Sequence, residues 1–229
     1  MATTTKPILA MTCLLILAAC ASVNSVPQEP NPYPIPVHIK YQVSSGANGG
    51  QPGDRVLRLV EPTHTGLYVG LQVAVSLLSG QFIGNTFSKE ELKGKKIESL
   101  PEPSREKLVP GLAKALQEYF AELPSGSTPE QFTQPLIVEA KKWLLVYETL
   151  NEGQQQYELQ YHVVFSKRPE DAGFFAKETS FYCQPEPKKM LLEEWVKNDH
   201  AAVRQVSDEY IAFCTSKVKE FIPNFFTKA

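Results

Sequence analysis

The stretch 156–167 alternates with a period of two: Tyr157, Leu159, Tyr161, Val163 and Phe165 fall on one side, Glu158, Gln160 and His162 on the other. Successive side chains of an extended strand point to opposite faces, so this pattern predicts a long strand with one buried face. A second long candidate lies just before it, at 136–149, and Asn151, Glu152 and Gly153 between them are hairpin-turn residues. Trp143 and Tyr147 join the aromatic row of the second strand. Such a row can serve as a stacking platform for sugars or peptides, but as a core-facing surface it is more ordinary.

Shorter strand candidates surround this pair. Two precede it, at 37–43 and 55–60, separated by the loop Ser44-Ser45-Gly46-Ala47-Asn48-Gly49-Gly50-Gln51-Pro52-Gly53. That loop lacks the helix start and following lysine of a phosphate cradle. A third strand is expected at 179–183, ending at Gln184-Pro185-Glu186-Pro187. The stretch 66–84 alternates apolar residues such as Leu67, Val69, Leu71 and Val73, which favours a strand. Its Gly66, Gly70 and Ala74 also form the small-residue stripe of a close-packed helix.

Helical spacing appears elsewhere. Ser88 and Glu91 have the form of a capping box ahead of Gly94. Leu108, Leu112, Leu116, Phe120 and Leu123 recur at helical intervals, and Pro110 suits only a first turn, so the main helix is placed at 110–123. A short helix is expected at 190–197, carrying Leu191, Leu192 and Trp195. Asp199 is the expected N-cap of a last helix with the buried stripe Val203, Val206, Tyr210, Phe213, Cys214, Val218 and Phe221. The resulting expectation is α+β, an antiparallel β-sheet with helices packed on one face.

The N-terminus carries a different signal. Lys6 precedes an apolar run of about 13 residues, Pro7 through Ala19, followed by small residues. This is the layout of a secretory signal, short of the roughly 20 apolar residues that a membrane-spanning helix needs. Leu17-Ala18-Ala19-Cys20 resembles the lipobox of bacterial lipoprotein precursors. The resemblance covers this segment alone. It implies cleavage before Cys20 and acylation of that cysteine, including the palmitate-type chain on its new amino group. Two or more acyl chains, at about 0.8 kcal/mol per buried methylene, anchor a protein stably. Because Ala21 stands where an aspartate commonly marks inner-membrane retention, the resemblance implies sorting to the outer membrane, with the domain facing the periplasm. Ala19-Cys20-Ala21 also fits a general signal peptidase, which would release a soluble protein beginning at Ser22.

The expected organisation is therefore a signal peptide at 1–19, a lipidated cysteine and proline-rich tether at 20–36, and a single globular domain at 37–229. Pro27, Pro30, Pro32, Pro34 and Pro36 fix φ and remove backbone donors along the tether. In extended form its 16 residues after Cys20 reach roughly 50 Å. A ligand for a proline-reading groove is the sharper reading, and a tether the commoner one.

Loss of residues 1–19 would leave 210 residues, one domain of ordinary size or two small ones. Lys6 is the only charge in that segment, so 22 basic residues would face 25 acidic ones. A balance this near neutral, without a lysine or arginine run, gives no electrostatic footprint for nucleic acid. Hydrophobic content of 42% argues against wholesale disorder. With Cys13 and Cys20 accounted for, Cys183 and Cys214 remain, and in an oxidising compartment they are expected to be bonded, linking the C-terminal helix to the sheet. The alternative is two buried free thiols. No Cys-x-x-Cys spacing suggests a redox pair.

Catalytic signatures are absent. His38, His64, His162 and His200 are scattered without metal-ligand spacing, so no metal or cofactor is expected. No serine sits in a Gly-x-Ser-x-Gly elbow. The pairs Glu90-Glu91 and Glu193-Glu194 lie on expected helices, where adjacent side chains diverge by about 100°. Two classes of function remain. One is a membrane-anchored, non-catalytic module that binds an envelope protein, glycan or lipid, or helps assemble the envelope. The other is an envelope hydrolase whose active site is noncontiguous.

Overall fold

Two long strands organise the computed structural model: β5 at Gln156–Lys167, where its alternation puts it, and β4 at Leu136–Tyr147, which ends two residues before the expected 149; they pair antiparallel from Leu136↔Lys167 to Tyr147↔Tyr157. The residues described are 32–46, 52–63, 88–124, 132–149, 155–170, 173 and 176–226. All but Pro32 belong to one compact unit, Tyr33–Ala229. Residues 1–31, which hold the signal, Cys13, Cys20 and most of the tether, lie outside the described set. So do His64, the ambiguous stretch 66–84 and the turn at 150–154.

Short strands complete a seven-stranded sheet in a mixed α+β fold. In chain order they are β1 (Ile39–Val43), β2 (Val56–Val60), β3 (Lys95–Pro101), β6 (Thr179–Cys183) and β7 (Lys188–Leu191). Along one side of β4, β1 pairs with 136–140 and β2 with 144–146; along the far side of β5, β7 pairs with 156–159 and β6 with 163–167. The order is β3-β2-β4-β5-β6, with β1 beside β4 and β7 beside β5.

The sheet is mixed and not antiparallel throughout: β1 and β2 both run parallel to β4. Antiparallel neighbours can be joined by tight turns, whereas parallel ones need a long crossover. The chain between β2 and β4 supplies one, because it contains β3, a π-helical turn at Ser104–Leu108 and helix α1 at Val109–Glu122. Strand β3 went unrecognised because Lys95, Lys96, Glu98 and Ser99 are all exposed on this edge strand, which leaves no apolar alternation to read.

Between β1 and β2 the chain closes tightly. Gly53 N–H donates to Ser44 O and Ser44 N–H to Ala140 O, and a Cβ on Gly53 would come within 2.4 Å of that same Ala140 oxygen. Beside it, β4 carries a bulge between Ala140 and Lys142. The buried Asp54 carboxylate accepts the Trp143 N–H at 3.1 Å and pairs with Arg58, whose guanidinium also donates to Leu92 O.

Helix α1 buries Val109, Leu112, Ala113, Ala115 and Leu116, with Pro110 in its first turn as expected. Ser88 gives no capping box; its hydroxyl donates to the Glu90 carboxylate beside a single 3-10 turn at Lys89–Glu91. Helix α2 spans Leu192–Phe226 and is interrupted at Lys197–His200. The short helix expected at 190–197 therefore starts two residues late, because Lys188–Leu191 pairs with β5 as β7. Asp199 is not an N-cap: Asn198, Asp199 and His200 are all left-handed, with φ of 51°, 52° and 62°. The buried stripe of α2 includes Val203, Val206, Tyr210, Cys214 and Val218, but Phe221 is only half-buried, Phe213 is exposed, and Ile211, Ile222 and Phe225 are in the core.

A Cys183–Cys214 disulfide links β6 to α2, with the two Cα atoms 5.8 Å apart. Three further contacts run beside it. Phe181 stacks on Phe221, Tyr161 stacks on Tyr210, and the Trp195 indole donates to Tyr157 O. At the end of β5, the buried Lys167 ammonium pairs with Glu170 and lies over the rings of Phe132 and Phe226, fastening the last turn of α2.

Candidate functional site

A buried polar cluster lies where β3 ends. Glu102 follows β3 and is held by its own N–H, which donates to Arg55 O at 2.9 Å. Its carboxyl is buried. One oxygen accepts the Tyr41 hydroxyl from β1 at 2.7 Å, and the other accepts both the N–H and the hydroxyl of Ser104, at 3.1 and 2.5 Å. The Ser104 oxygen lies 2.5 Å from the hydroxyl of Tyr161 on β5. With the serine proton committed to Glu102, Tyr161 is the donor in that contact. Tyr161 in turn is wedged edge-on to Trp143 and stacked on Tyr210, whose hydroxyl donates to Leu159 O and accepts from Lys188 N–H.

Burial dominates the electrostatics here. It pushes the Glu102 carboxyl above the ordinary carboxylate range, against the bonds from Ser104 and Tyr41 that favour the charged form. Burial and then the Glu102 charge raise Tyr41, and the same two causes hold Tyr161 well above the usual phenol range. Tyr210 is pushed up to about 12, chiefly by burial.

A serine bonded to a carboxylate invites comparison with an activated nucleophile, but the geometry does not supply one. Activation needs a base that takes the serine proton as substrate arrives, and a path for that substrate. Ser104 is fully buried, its hydroxyl is engaged by Glu102 and Tyr161, and among the described residues no histidine bonds to it. The cluster acts as a fastener between β1, the end of β3, the π-helical turn and β5.

The residues singled out by sequence fare differently in the fold. Cys183 and Cys214 are brought together as a bonded, buried pair. Cys20 lies outside the described residues. The aromatic row Trp143, Tyr147, Tyr157 and Tyr161 is core, each ring almost wholly buried, so it offers no stacking platform. His38 precedes β1, His162 lies on β5 and His200 at the break in α2, so the three are not brought together. His162 is lowered by burial and then by Lys142 and Lys141, and its ring lies 6.3 Å from that of Tyr182. Among the described residues no group of three or more His, Cys, Asp or Glu is placed to hold a metal, and no helix is long and apolar enough to cross a membrane. Glu102 and Ser104 were missed because their significance depends on Tyr41 and Tyr161, 61 and 57 residues away in the chain.

No family model, curated protein or solved structure matches this chain.

What remains accessible is surface. Tyr182, Phe213 and Val196 are the exposed large apolar residues of the described set, and Tyr182, at 66%, is the most exposed of them.

Proposed function

We propose that the chain is a lipid-anchored exported protein. Its residues 1–19 are removed, Cys20 carries the lipid at the outer membrane, the segment to residue 36 is a tether, and 37–229 is one periplasmic domain that binds an envelope component without catalysing a reaction. The observation that carries this reading is Leu17-Ala18-Ala19-Cys20 at the end of an apolar run too short to span. The Cys183–Cys214 bridge supports it, since such bonds persist in oxidising compartments and are rare in the cytosol.

The binding role rests on the absence of catalytic signatures in the sequence, on the buried character of the Glu102–Ser104 cluster, and on the exposed aromatic residues. We also place both helices on one face of the sheet. Cys183, Phe181 and Tyr161 share a face by register and all meet α2, and Gly111 of α1 packs against Thr215 of α2.

The test is metabolic labelling with a palmitate analogue in a bacterial host that processes lipoproteins. The wild-type chain is expected to carry the label and to leave the membrane only in detergent. Cys20→Ala is expected to lose both properties. An unlabelled wild-type chain with a mature N-terminus at Ser22 would overturn the anchor.

A further inference from the structure

The two outer edges of the sheet are built differently. At one, β3 presents Lys95, Lys96 and Glu98, with Lys93 just before it, all exposed. Charged side chains on an edge, lysine above all, block the addition of another strand. The other edge is shared by β7, which carries the exposed Lys188 and Lys189, and β6, which is Thr-Ser-Phe-Tyr-Cys with no charged residue between Glu178 and Glu186. Strand β6 pairs only with β5, so the half of its backbone groups that faces away is unpaired among the described residues.

An exposed aromatic ring flanks this open edge on each side. Tyr182 is next to Cys183 in the strand and so points to the opposite face from the disulfide. Phe213 stands on the disulfide's side, and the helix geometry fixes its direction. Asp208, Thr215 and Lys219 of α2 meet Lys107 of the π-helical turn and Gly111 and Glu118 of α1, which marks the flank of α2 turned toward that turn and helix. Phe213 lies two residues from Thr215, about 160° around the helix. It therefore projects on the other flank, where Tyr210 meets β7 and Cys214 meets β6. Phe213 is 45% exposed.

We propose that the β6 edge, between Tyr182 and Phe213, binds an extended, uncharged polypeptide segment of a partner as an added strand. Free backbone donors and acceptors recognise another backbone, and side chains alternating along the added strand would meet Tyr182 on one face and Phe213 on the other. The five residues of β6 span about 17 Å. A stable interface between two copies takes about 20 to 30 residues a side, so the edge is sized for a linear segment and not for a second copy of this chain. The inference rests on the binding-module reading above and gives that module its site.

The experiment selects a displayed library of random linear heptapeptides on the full chain, purified in detergent with its disulfide intact. Enriched peptides are expected to alternate apolar residues and to lack charge at their centre. N-methylation at every second residue should abolish binding, and at the intervening residues leave it unchanged. Tyr182→Lys should weaken binding at least tenfold, while Lys96→Glu on the β3 edge leaves it unchanged; the absence of titratable thiols reports that each variant keeps its bridge.

Enriched peptides that bind Tyr182→Lys normally and tolerate every N-methylation would overturn the edge and leave a binding module with its site elsewhere. No enrichment would overturn the edge, as would a concentration-dependent dimer that Tyr182→Lys dissolves. Because lipid labelling of Cys20 is read separately, failure of the edge and failure of the anchor are distinguishable.

Discussion

Glu102 tests whether a buried carboxyl is here for its charge or for its shape. Its two oxygens accept three hydrogen bonds, and burial still raises its pKa, so desolvation outweighs the bonds. A carboxyl raised in the folded state binds its proton more tightly there than in the unfolded chain. Its contribution to stability is then fully present below the ordinary glutamate pKa and falls as pH rises through the window above it. Glu102→Gln keeps the shape and an acceptor for Ser104 while removing that titration. At pH 7 it should change stability by no more than about 1 kcal/mol, whereas Glu102→Ala, which strands the Ser104 and Tyr41 donors, should cost about 2 to 3 kcal/mol. Urea unfolding of the three proteins between pH 4 and 8 separates the contributions. If wild type gains stability relative to the Gln variant as pH rises, the sign of the shift is wrong. None of this was legible beforehand, since a glutamate between two prolines, Pro101 and Pro103, looks like a surface turn until Tyr41 and Tyr161 arrive from distant strands.

At the level of elements, legibility followed how much of each pattern is set locally. Strand β5 was placed to the residue because its two faces differ in environment along most of its length, the buried Val164 being the exception. Strand β3 and the short β7 were missed because edge strands need no apolar alternation, and Lys188–Leu191 reads equally well as the start of a helix. The break in α2 was hidden for another reason: Asp199 looks like an N-cap, yet the chain makes three left-handed residues there. Trp195 is tied to Tyr157 on one side of the break, and Tyr210 and Cys214 are tied to the sheet on the other, so both segments are held and the connection must adapt. Arg204 steadies the turn by donating to the Asp199 carbonyl and carboxylate. Left-handed residues other than glycine cost roughly 1 to 2 kcal/mol each, least for asparagine. Asn198→Gly should accordingly be neutral or raise stability by up to about 1 kcal/mol, and Asn198→Val, branched at Cβ, should lower it by about 1 to 2 kcal/mol. Equal melting temperatures for the glycine and valine variants would show that the backbone at 198 is not left-handed.

For the molecule as a whole, the Cys183–Cys214 bond couples stability to the compartment in which the chain folds. It closes a loop over a sequence separation of 31, which the chain-entropy model values at roughly 3 to 4 kcal/mol. That is a large share of the 5 to 15 kcal/mol that typically separates folded from unfolded domains. Both cysteines are buried, so the native bond is shielded from thiol reductants and opens mainly when the domain does. Material made in a reducing cytosol should therefore keep the sheet but melt lower than exported material, by roughly 10 °C at the 2 to 4 °C per kcal/mol usual for a chain of this size. The Cys183→Ser, Cys214→Ser double variant should melt low in both compartments, and reductant should shift the exported wild type only once unfolding begins. The bond's position also bears on the open edge of β6. It fixes the end of that strand, together with the Phe213 flank of α2, against the sheet, so an added strand would meet a preformed edge and lose little ordering entropy. If the edge is the binding site, the double variant should bind the selected heptapeptides more weakly than wild type at temperatures where both remain folded. Equal affinity for the two proteins, measured well below either melting transition, would separate the bridge's role in stability from any role in recognition.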